Sequence, residues 1–200
     1  MKHLLLLLLL GCNNAATPDI TDIQPAKPKD FYGKLSDAAI SIVNPNIEYD
    51  PTYFTIPYPN GDVPKGKGVC TDVVIRAYRK VGIDLQKEVH EDMKKNFNKY
   101  PKAWGLKSTD SNIDHRRVPN LETFFGRFGE TLPNSSSAAD YKPGDVVTWM
   151  LPGRHTHIGI VVDKKAPSGR YMIVHNIGSG QVMEDVLFEY DMRKHYRYKK

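Results

Sequence analysis

The spacing of apolar residues predicts helices in four stretches of the first two thirds of the chain. These stretches are residues 31–42, the segment that follows Gly68, residues 85–97 and the segment that follows Pro119. In the second stretch, apolar side chains recur at three- and four-residue intervals, so we expect a helix that begins near Cys70. Gly82 is predicted to end this helix, because glycine commonly follows the last helical turn.

After Tyr141 the pattern changes from helical to strand-like. Runs rich in β-branched residues predict strands at 146–151, 158–162 and 171–174, and Val186, Phe188 and Tyr190 alternate as in a last strand. Residues 193–200 are expected to form a basic, tyrosine-rich tail. Helices followed by a meander of strands indicate an α+β domain with an antiparallel sheet.

The first residues are typical of an export signal. A basic start is followed by seven leucines, a run too short to span a bilayer. The run ends in Leu-Leu-Gly-Cys12, which resembles the bacterial lipoprotein cleavage box, although an ordinary signal peptide with an incidental cysteine is the alternative. We therefore expect a signal peptide at 1–11, a lipid on Cys12, a flexible tether at 12–30 and a folded domain at 31–200.

The composition is that of an ordinary globular protein, with 40% hydrophobic and 26% charged residues. The net charge of +5 suits anionic partners, but the sequence contains no nucleic-acid-binding module. No second domain and no cofactor are expected, and the protein is predicted to be a monomer. The expected location is the bacterial cell envelope, facing the periplasm and touching the membrane only through the lipid, with outer-membrane anchoring left open.

Cys70 is the first candidate for chemistry. In the first turn of a helix, unpaired backbone N–H groups and the helix dipole favour thiolate over thiol. The alternative is a small buried hydrophobic residue, which is the commonest fate of a free cysteine. If Cys12 carries lipid, Cys70 is the one thiol left in an oxidising compartment. A lone thiol at a helix start there favours catalysis.

The predicted hairpin places a histidine pair on one face of the sheet. If residues 164–168 form the loop, Asp163 pairs with Gly169, and the numbers of every pair along this antiparallel hairpin sum to 332. His157 then lies opposite His175. Asn176 then points to the other face, and a slip of one residue would exchange the two. Gly159 is expected to leave room for the Cys70 helix to approach the sheet.

These residues predict nucleophilic catalysis by a thiol. A histidine accepts the thiol proton while a second polar residue fixes its tautomer, and the sulfur attacks a carbonyl carbon. The histidine then protonates the leaving amine, and water hydrolyses the acyl-enzyme. The backbone N–H of Cys70 is the expected first donor to the oxyanion.

The order of motifs resembles that of NlpC-type papain-fold cell-wall hydrolases. The motifs are a cysteine opening a helix, Lys-Pro-Gly-Asp-Val-Val at 142–147, His-Ile-Gly-Ile-Val at 157–161 and Ile-Val-His at 173–175. Residues 50–200, about three quarters of the chain, resemble more closely a bacterial family of that superfamily that carries a domain-of-unknown-function label. The resemblance implies a papain-like fold with Cys70 as nucleophile, His157 as base and His175 as third residue.

Two departures from the NlpC pattern affect the substrate. Val69 and Thr71-Asp72 replace the usual acidic residue and Ser-Gly beside the nucleophile, and residues 87–140 form a longer segment than a minimal domain needs. NlpC-type enzymes mostly cut amide bonds in peptidoglycan stem peptides, and those peptides carry carboxylates that arginine can bind through two hydrogen bonds. Candidate substrate contacts are Tyr58, Asp72, Asp114, His115, Arg116, Arg117 and Asn176.

Simpler interpretations exist for several of these residues. The His115, Arg116 and Arg117 trio could be a solvated loop paired with nearby aspartates, and Asp72 is expected to cap the helix rather than to orient a substrate amine.

Three other functions stay open at this point. His155, His157 and His175 could bind a catalytic zinc, although no clear carboxylate ligand accompanies them and Cys70 would have no role. The same fold could transfer an acyl group to an amine instead of to water. The domain could also be an inactive cell-wall-binding lipoprotein, which the joint presence of Cys70, His157 and His175 disfavours.

Overall fold

The computed structural model describes residues 28–200. The predicted signal peptide, Cys12 and most of the predicted tether lie outside the described residues. The helices are α1 (Phe31–Ser41), α2 (Cys70–Lys80), α3 (Leu85–Lys95) and α4 (Val118–Phe128). The strands are β1 (Glu48–Tyr49), β2 (Lys67–Gly68), β3 (Glu130–Leu132), β4 (Val146–Leu151), β5 (His155–Lys165), β6 (Tyr171–His175), β7 (Val182–Glu184) and β8 (Asp191–Arg197).

Six strands form one antiparallel sheet in the order β3-β8-β4-β5-β6-β7. A short parallel pair, β1 with β2, leads into α2. The predicted α+β class with an antiparallel sheet is therefore confirmed. In the part of the chain that the structure describes, every helix is too short or too polar to cross a membrane.

The main core lies between the helices and one face of the sheet. Helix α2 is its centre: Val73, Val74 and Ala77 are fully buried, as is Tyr78. The strands contribute alternate residues to this core, among them Ile158 and Ile160 on β5. The other face of the sheet carries a smaller cluster built around Trp149, Tyr141 and Leu187. Helix α2 is thus held rigidly, with its first residue at one end of the sheet.

The helix boundaries follow the sequence pattern closely, and the main difference lies at the end of α3. Helix α2 ends at Lys80, and Gly82 follows with a φ of +87°, a left-handed conformation that glycine adopts without steric cost. Helix α3 ends at Lys95, two residues earlier than predicted, and residues 97–99 form a 3-10 turn instead. Pro119 lies in the first turn of α4, as expected.

The predicted hairpin register is wrong by two residues. Ile160 pairs with Val174 and Val161 with Ile173, so the residue numbers sum to 334, and a register shift before Lys165 widens the end of the hairpin. A slip of two residues preserves the face on which each side chain lies, because side chains alternate with a period of two. His157 and His175 therefore still share a face, although they are not direct cross-strand partners.

The prediction that Gly159 makes room for helix α2 is wrong, because the space at this glycine is taken by the neighbouring strand β6. A Cβ atom at this position would come within 2.6 Å of the Ile173 side chain and 3.2 Å of the His175 Cβ. The glycine therefore lets β6 and its histidine pack closely against β5.

The predicted last strand at residues 186–190 is also wrong. Those residues form a turn region after β7, and the predicted tail is largely strand β8, which lies between β3 and β4. Polar residues of β8 obscure its alternation, because His195 and Arg197 both pair with the buried carboxylate of Asp145. On the opposite face of the strand, Tyr196 is buried in the main core.

Candidate active site

A cavity of about 700 Å³ opens where the start of α2 meets the start of β5. Cys70 and His157 both line it, together with Tyr49, Trp104 and Arg117. Its walls are mostly apolar with a few polar groups, the composition typical of small-molecule and peptide sites.

The sulfur of Cys70 is almost completely buried, with the residue 4% exposed. The backbone N–H groups of Ile158, Thr71 and Cys70 itself favour the charged form of this sulfur and act to lower its pKa. Burial nevertheless raises the pKa of the Cys70 thiol to about 12, and the nearby Asp72 carboxylate adds to the increase. The prediction that the helix start favours thiolate is therefore wrong for the free protein, because burial outweighs the N–H donors.

Three side chains form a hydrogen-bonded chain that leads away from the cavity. The Nε2 atom of His157 lies 2.9 Å from Nδ1 of His175, and Nε2 of His175 lies 2.9 Å from Oε2 of Glu184. The carboxylate of Glu184 only accepts, so His175 must donate from Nε2 and accept at Nδ1. His157 then donates from Nε2, which leaves its Nδ1 unprotonated and able to accept a proton.

Both histidines are neutral in this environment. Burial, with a smaller contribution from the neighbouring His175, lowers the pKa of His157 to about 3. Burial also lowers the pKa of His175, although the Glu184 carboxylate opposes the effect. His157 and Cys70 make no direct hydrogen bond, a common situation in free enzymes, where such bonds tighten once substrate is bound. The resting pair is thiol and neutral imidazole.

Asp72 and Arg116 form a buried ion pair beside the nucleophile. The guanidinium Nε and Nη2 atoms lie 3.0 and 3.1 Å from the two carboxylate oxygens, and the side chains are 2% and 4% exposed. Asp72 also accepts a hydrogen bond from the Val69 N–H at 2.7 Å, so the predicted helix cap is present. The pair ties the 3-10 turn Asp114–Arg116 to the start of α2.

The other predicted substrate contacts are scattered. Arg117 lines the cavity, whereas Asp114 and His115 are fully buried and Tyr58 packs on His90 outside the cavity lining. Asn176 is also fully buried and donates to the Gly68 carbonyl.

Of His115, Arg116 and Arg117, the structure places Arg117 in the cavity lining with a charge that no carboxylate among residues 28–200 neutralises. Arg116 reaches the cavity too, but its charge is neutralised by Asp72. The alternative of a solvated loop is wrong for His115 and Arg116, because both are buried. Burial lowers the pKa of His115 to about 3.

Sequence reasoning missed Glu184, Tyr49 and Trp104. Glu184 lies on β7, a strand that the pattern did not predict, and its contact with His175 depends on the register of two hairpins. Tyr49 lies in β1 and Trp104 in an irregular segment, and both line the cavity. The tyrosine-rich composition of residues 49–64 was the one signal that pointed to this wall.

The histidines do not form a metal-binding group. Within residues 28–200, no three His, Cys, Asp or Glu side chains are arranged to hold a metal ion. His155 is exposed at the cavity, while the facing nitrogens of His157 and His175 bond to each other. This geometry does not fit the zinc alternative, whose three histidines would have to point at one centre.

Comparisons with known proteins show where the chain belongs. Residues 36–198 match the family described as "Domain of unknown function (DUF1287)". The uncharacterized protein YijF of Escherichia coli (strain K12) is 53% identical over 164 residues, which cover 82% of this chain and 80% of that protein.

Two solved structures are more distant. NlpC1 and NlpC2 of Trichomonas vaginalis are 14% and 13% identical, with TM-scores of 0.46 and 0.47, and each comparison covers 88% of this chain. The chain spans about half the length of those two proteins, 47% and 49%. On the match over residues 36–198 and the identity to YijF, this chain belongs to the DUF1287 family.

Proposed function

We propose that this protein is a cysteine-dependent hydrolase that cleaves amide bonds in peptidoglycan stem peptides. The observation that carries the proposal is the joint presence, in one cavity, of Cys70 at a helix start and His157 at the head of a hydrogen-bonded chain. A nucleophile, a base and a group that orients the base are the parts that covalent amide hydrolysis needs.

The reaction begins from the neutral pair. As a substrate carbonyl carbon approaches, Nδ1 of His157 accepts the Cys70 proton and the C–S bond forms. The backbone N–H of Cys70, which is the first residue of α2, donates to the developing oxyanion. The positive charge on His157 is stabilised through His175 by the Glu184 carboxylate. His157 then protonates the leaving amine, the C–N bond breaks, and water releases the acyl group from sulfur.

Export and lipid attachment at Cys12 belong to the same proposal. The basic start, the leucine run and the Leu-Leu-Gly-Cys sequence support it. A lipid anchor and a tether would hold the domain in the periplasm, where stem peptides are found. A flexible tether would let the domain sample a volume around its anchor and so reach the peptides.

The test is digestion of purified muropeptides by the full mature protein, with products identified by mass spectrometry. We expect two fragments whose masses sum to the substrate plus one water, with a new amine and a new carboxylate. Products in which the acyl group is joined to an amine would show that the protein is an acyltransferase and not a hydrolase. No turnover of any muropeptide, together with tight binding, would support the inactive cell-wall-binding alternative.

Glu184 supplies a second prediction. The Glu184→Gln protein keeps an oxygen that can accept from His175 but loses the negative charge, so kcat should fall about 3- to 10-fold with little change in KM. The effect is moderate because the Glu184 side chain is 43% exposed and water screens its charge. The carboxylate raises the pKa of His175. Its removal should therefore move the acid limb of the pH profile of kcat/KM to lower pH.

Glu189→Gln is the matched control, because Glu189 is exposed on the neighbouring turn and the substitution removes the same charge. This variant should behave as wild type. A Glu184→Gln protein with unchanged kcat and an unchanged acid limb would show that the carboxylate has no part in orienting the histidines.

A further inference from the structure

Arg117 differs from almost every other arginine in the described chain. Between residues 28 and 200, all arginines except Arg117 and the exposed Arg154 form an ion pair with a carboxylate. Arg117 has no ion pair or side-chain hydrogen bond within these residues, and its Nη1 atom is buried without a partner. A buried donor with no acceptor is costly, so such a group in a cavity wall indicates that a ligand supplies the acceptor.

The charges around the cavity favour an anion. Among residues 28–200, no Asp or Glu side chain lines it, and the charged groups in its wall are Arg116 and Arg117. Asp72 neutralises Arg116, which leaves Arg117 as the uncompensated positive charge in the lining. Burial lowers the pKa of Arg117, although the Asp114 and Asp110 carboxylates oppose this shift at longer range.

Trp104 contacts the guanidinium of Arg117 at the edge of the cavity. The central carbon of Arg117 lies 4.5 Å from the centre of the Trp104 ring, a cation–π contact. Both residues line the same cavity as Cys70. A cation–π contact uses none of the N–H donors of a guanidinium, and two parallel N–H donors match the two oxygens of a carboxylate.

We propose that Arg117, backed by Trp104, binds a carboxylate that the substrate carries close to the scissile bond. This inference rests on the proposed hydrolysis of stem peptides and narrows it: the preferred substrate has a free carboxylate where some stem peptides have a carboxamide. Arg117 is the specificity-determining residue, and Asp114, His115 and Arg116 of the same segment serve to build the wall.

The experiment compares a synthetic stem peptide with analogues in which one carboxylate at a time is replaced by a carboxamide. For wild type we expect kcat/KM to drop about 10- to 100-fold for one analogue and little for the others, the range for a charged hydrogen-bonded pair. In Arg117→Met, the ratio of kcat/KM for the acid peptide to kcat/KM for the amide peptide should fall to about 1. In Arg117→Lys, this ratio should lie between those of wild type and Arg117→Met. Lys107→Met removes one exposed positive charge outside the cavity lining and should keep the wild-type ratio.

Binding measured by calorimetry separates this inference from the proposed reaction. Two proteins are made in a Cys70→Ala background, one with Arg117 and one with Arg117→Met. Each is titrated with the acid peptide and with the amide peptide. Selective binding of the acid that depends on Arg117, without cleavage by wild type, would keep the carboxylate site and overturn the hydrolase. An acid-to-amide ratio that is the same with and without Arg117, in cleavage or in binding, would overturn the carboxylate site.

Discussion

The Cys70→Ala protein is expected to lose at least about 10⁴-fold in kcat on any muropeptide that the wild type cleaves, because no acyl-enzyme can form without the sulfur. The fold should persist. Cys70 is one small buried side chain beside the core of α2, and deleting its sulfur should cost about 1 kcal/mol of unfolding free energy. Initial rates and a urea unfolding curve on the same sample measure both effects.

Cys70→Ser is the control for shape. It keeps a hydrogen-bonding group of similar size at the helix start. It should also be inactive, because a serine hydroxyl near neutral pH is a far weaker nucleophile than a cysteine thiol. Acyl-enzyme trapped on wild type and absent from both variants would complete the case. A Cys70→Ala protein that still cleaves at more than a tenth of the wild-type rate would remove the thiol from the mechanism.

The Arg116→Met protein is expected to lose about 3–5 kcal/mol of unfolding free energy. Removing the guanidinium leaves the Asp72 carboxylate buried with no opposite charge, at a position 4% exposed. Arg116 also donates to the backbone carbonyls of Thr52 and Asp50, so its hydrogen bonds to three residues are lost together. Urea unfolding monitored by circular dichroism gives the value.

The double variant Asp72→Asn with Arg116→Met should recover part of the loss, because it no longer buries an unpaired charge while the amide can still accept from the Val69 N–H. Arg170→Met is the matched control: its ion pair with Asp185 is more exposed, at 38% and 24%, and its loss should cost about 1 kcal/mol or less. Equal costs for Arg116→Met and Arg170→Met would show that the buried pair adds no special stability.

Helices were easier to predict than strands for a physical reason. The apolar stripe of α2 repeats within one segment, so it is visible without knowledge of any neighbour. The pattern predicts a tail where strand β8 lies, because the polar side chains of His195, which is buried, and Arg197, which is partly buried, pair with Asp145, a residue far away in the chain. When a polar residue is buried against a distant partner, the strand does not show the alternation of apolar and polar residues by which strands are predicted from sequence.

The histidine pair shows how far a register argument reaches. The assumed loop was wrong by two positions, yet His157 and His175 share a face, because a two-residue shift conserves side-chain parity. The contact with Glu184 required the position of β7 as well, and nothing local specifies it. The protonation of the thiol was also beyond sequence reasoning: the helix start is local, but the burial that raises its pKa is not.

The sequence by itself determined the α+β class, the start of α2 at Cys70 and the common face of the two histidines, because helical spacing and strand alternation are properties of short segments. Only the tertiary structure decided that Arg116 is neutralised by Asp72 while Arg117 faces the cavity unpaired, and that Glu184 completes the histidine chain. These outcomes depend on which distant groups share a low-dielectric space, since burial and charge pairing are set by packing and not by neighbours in the chain.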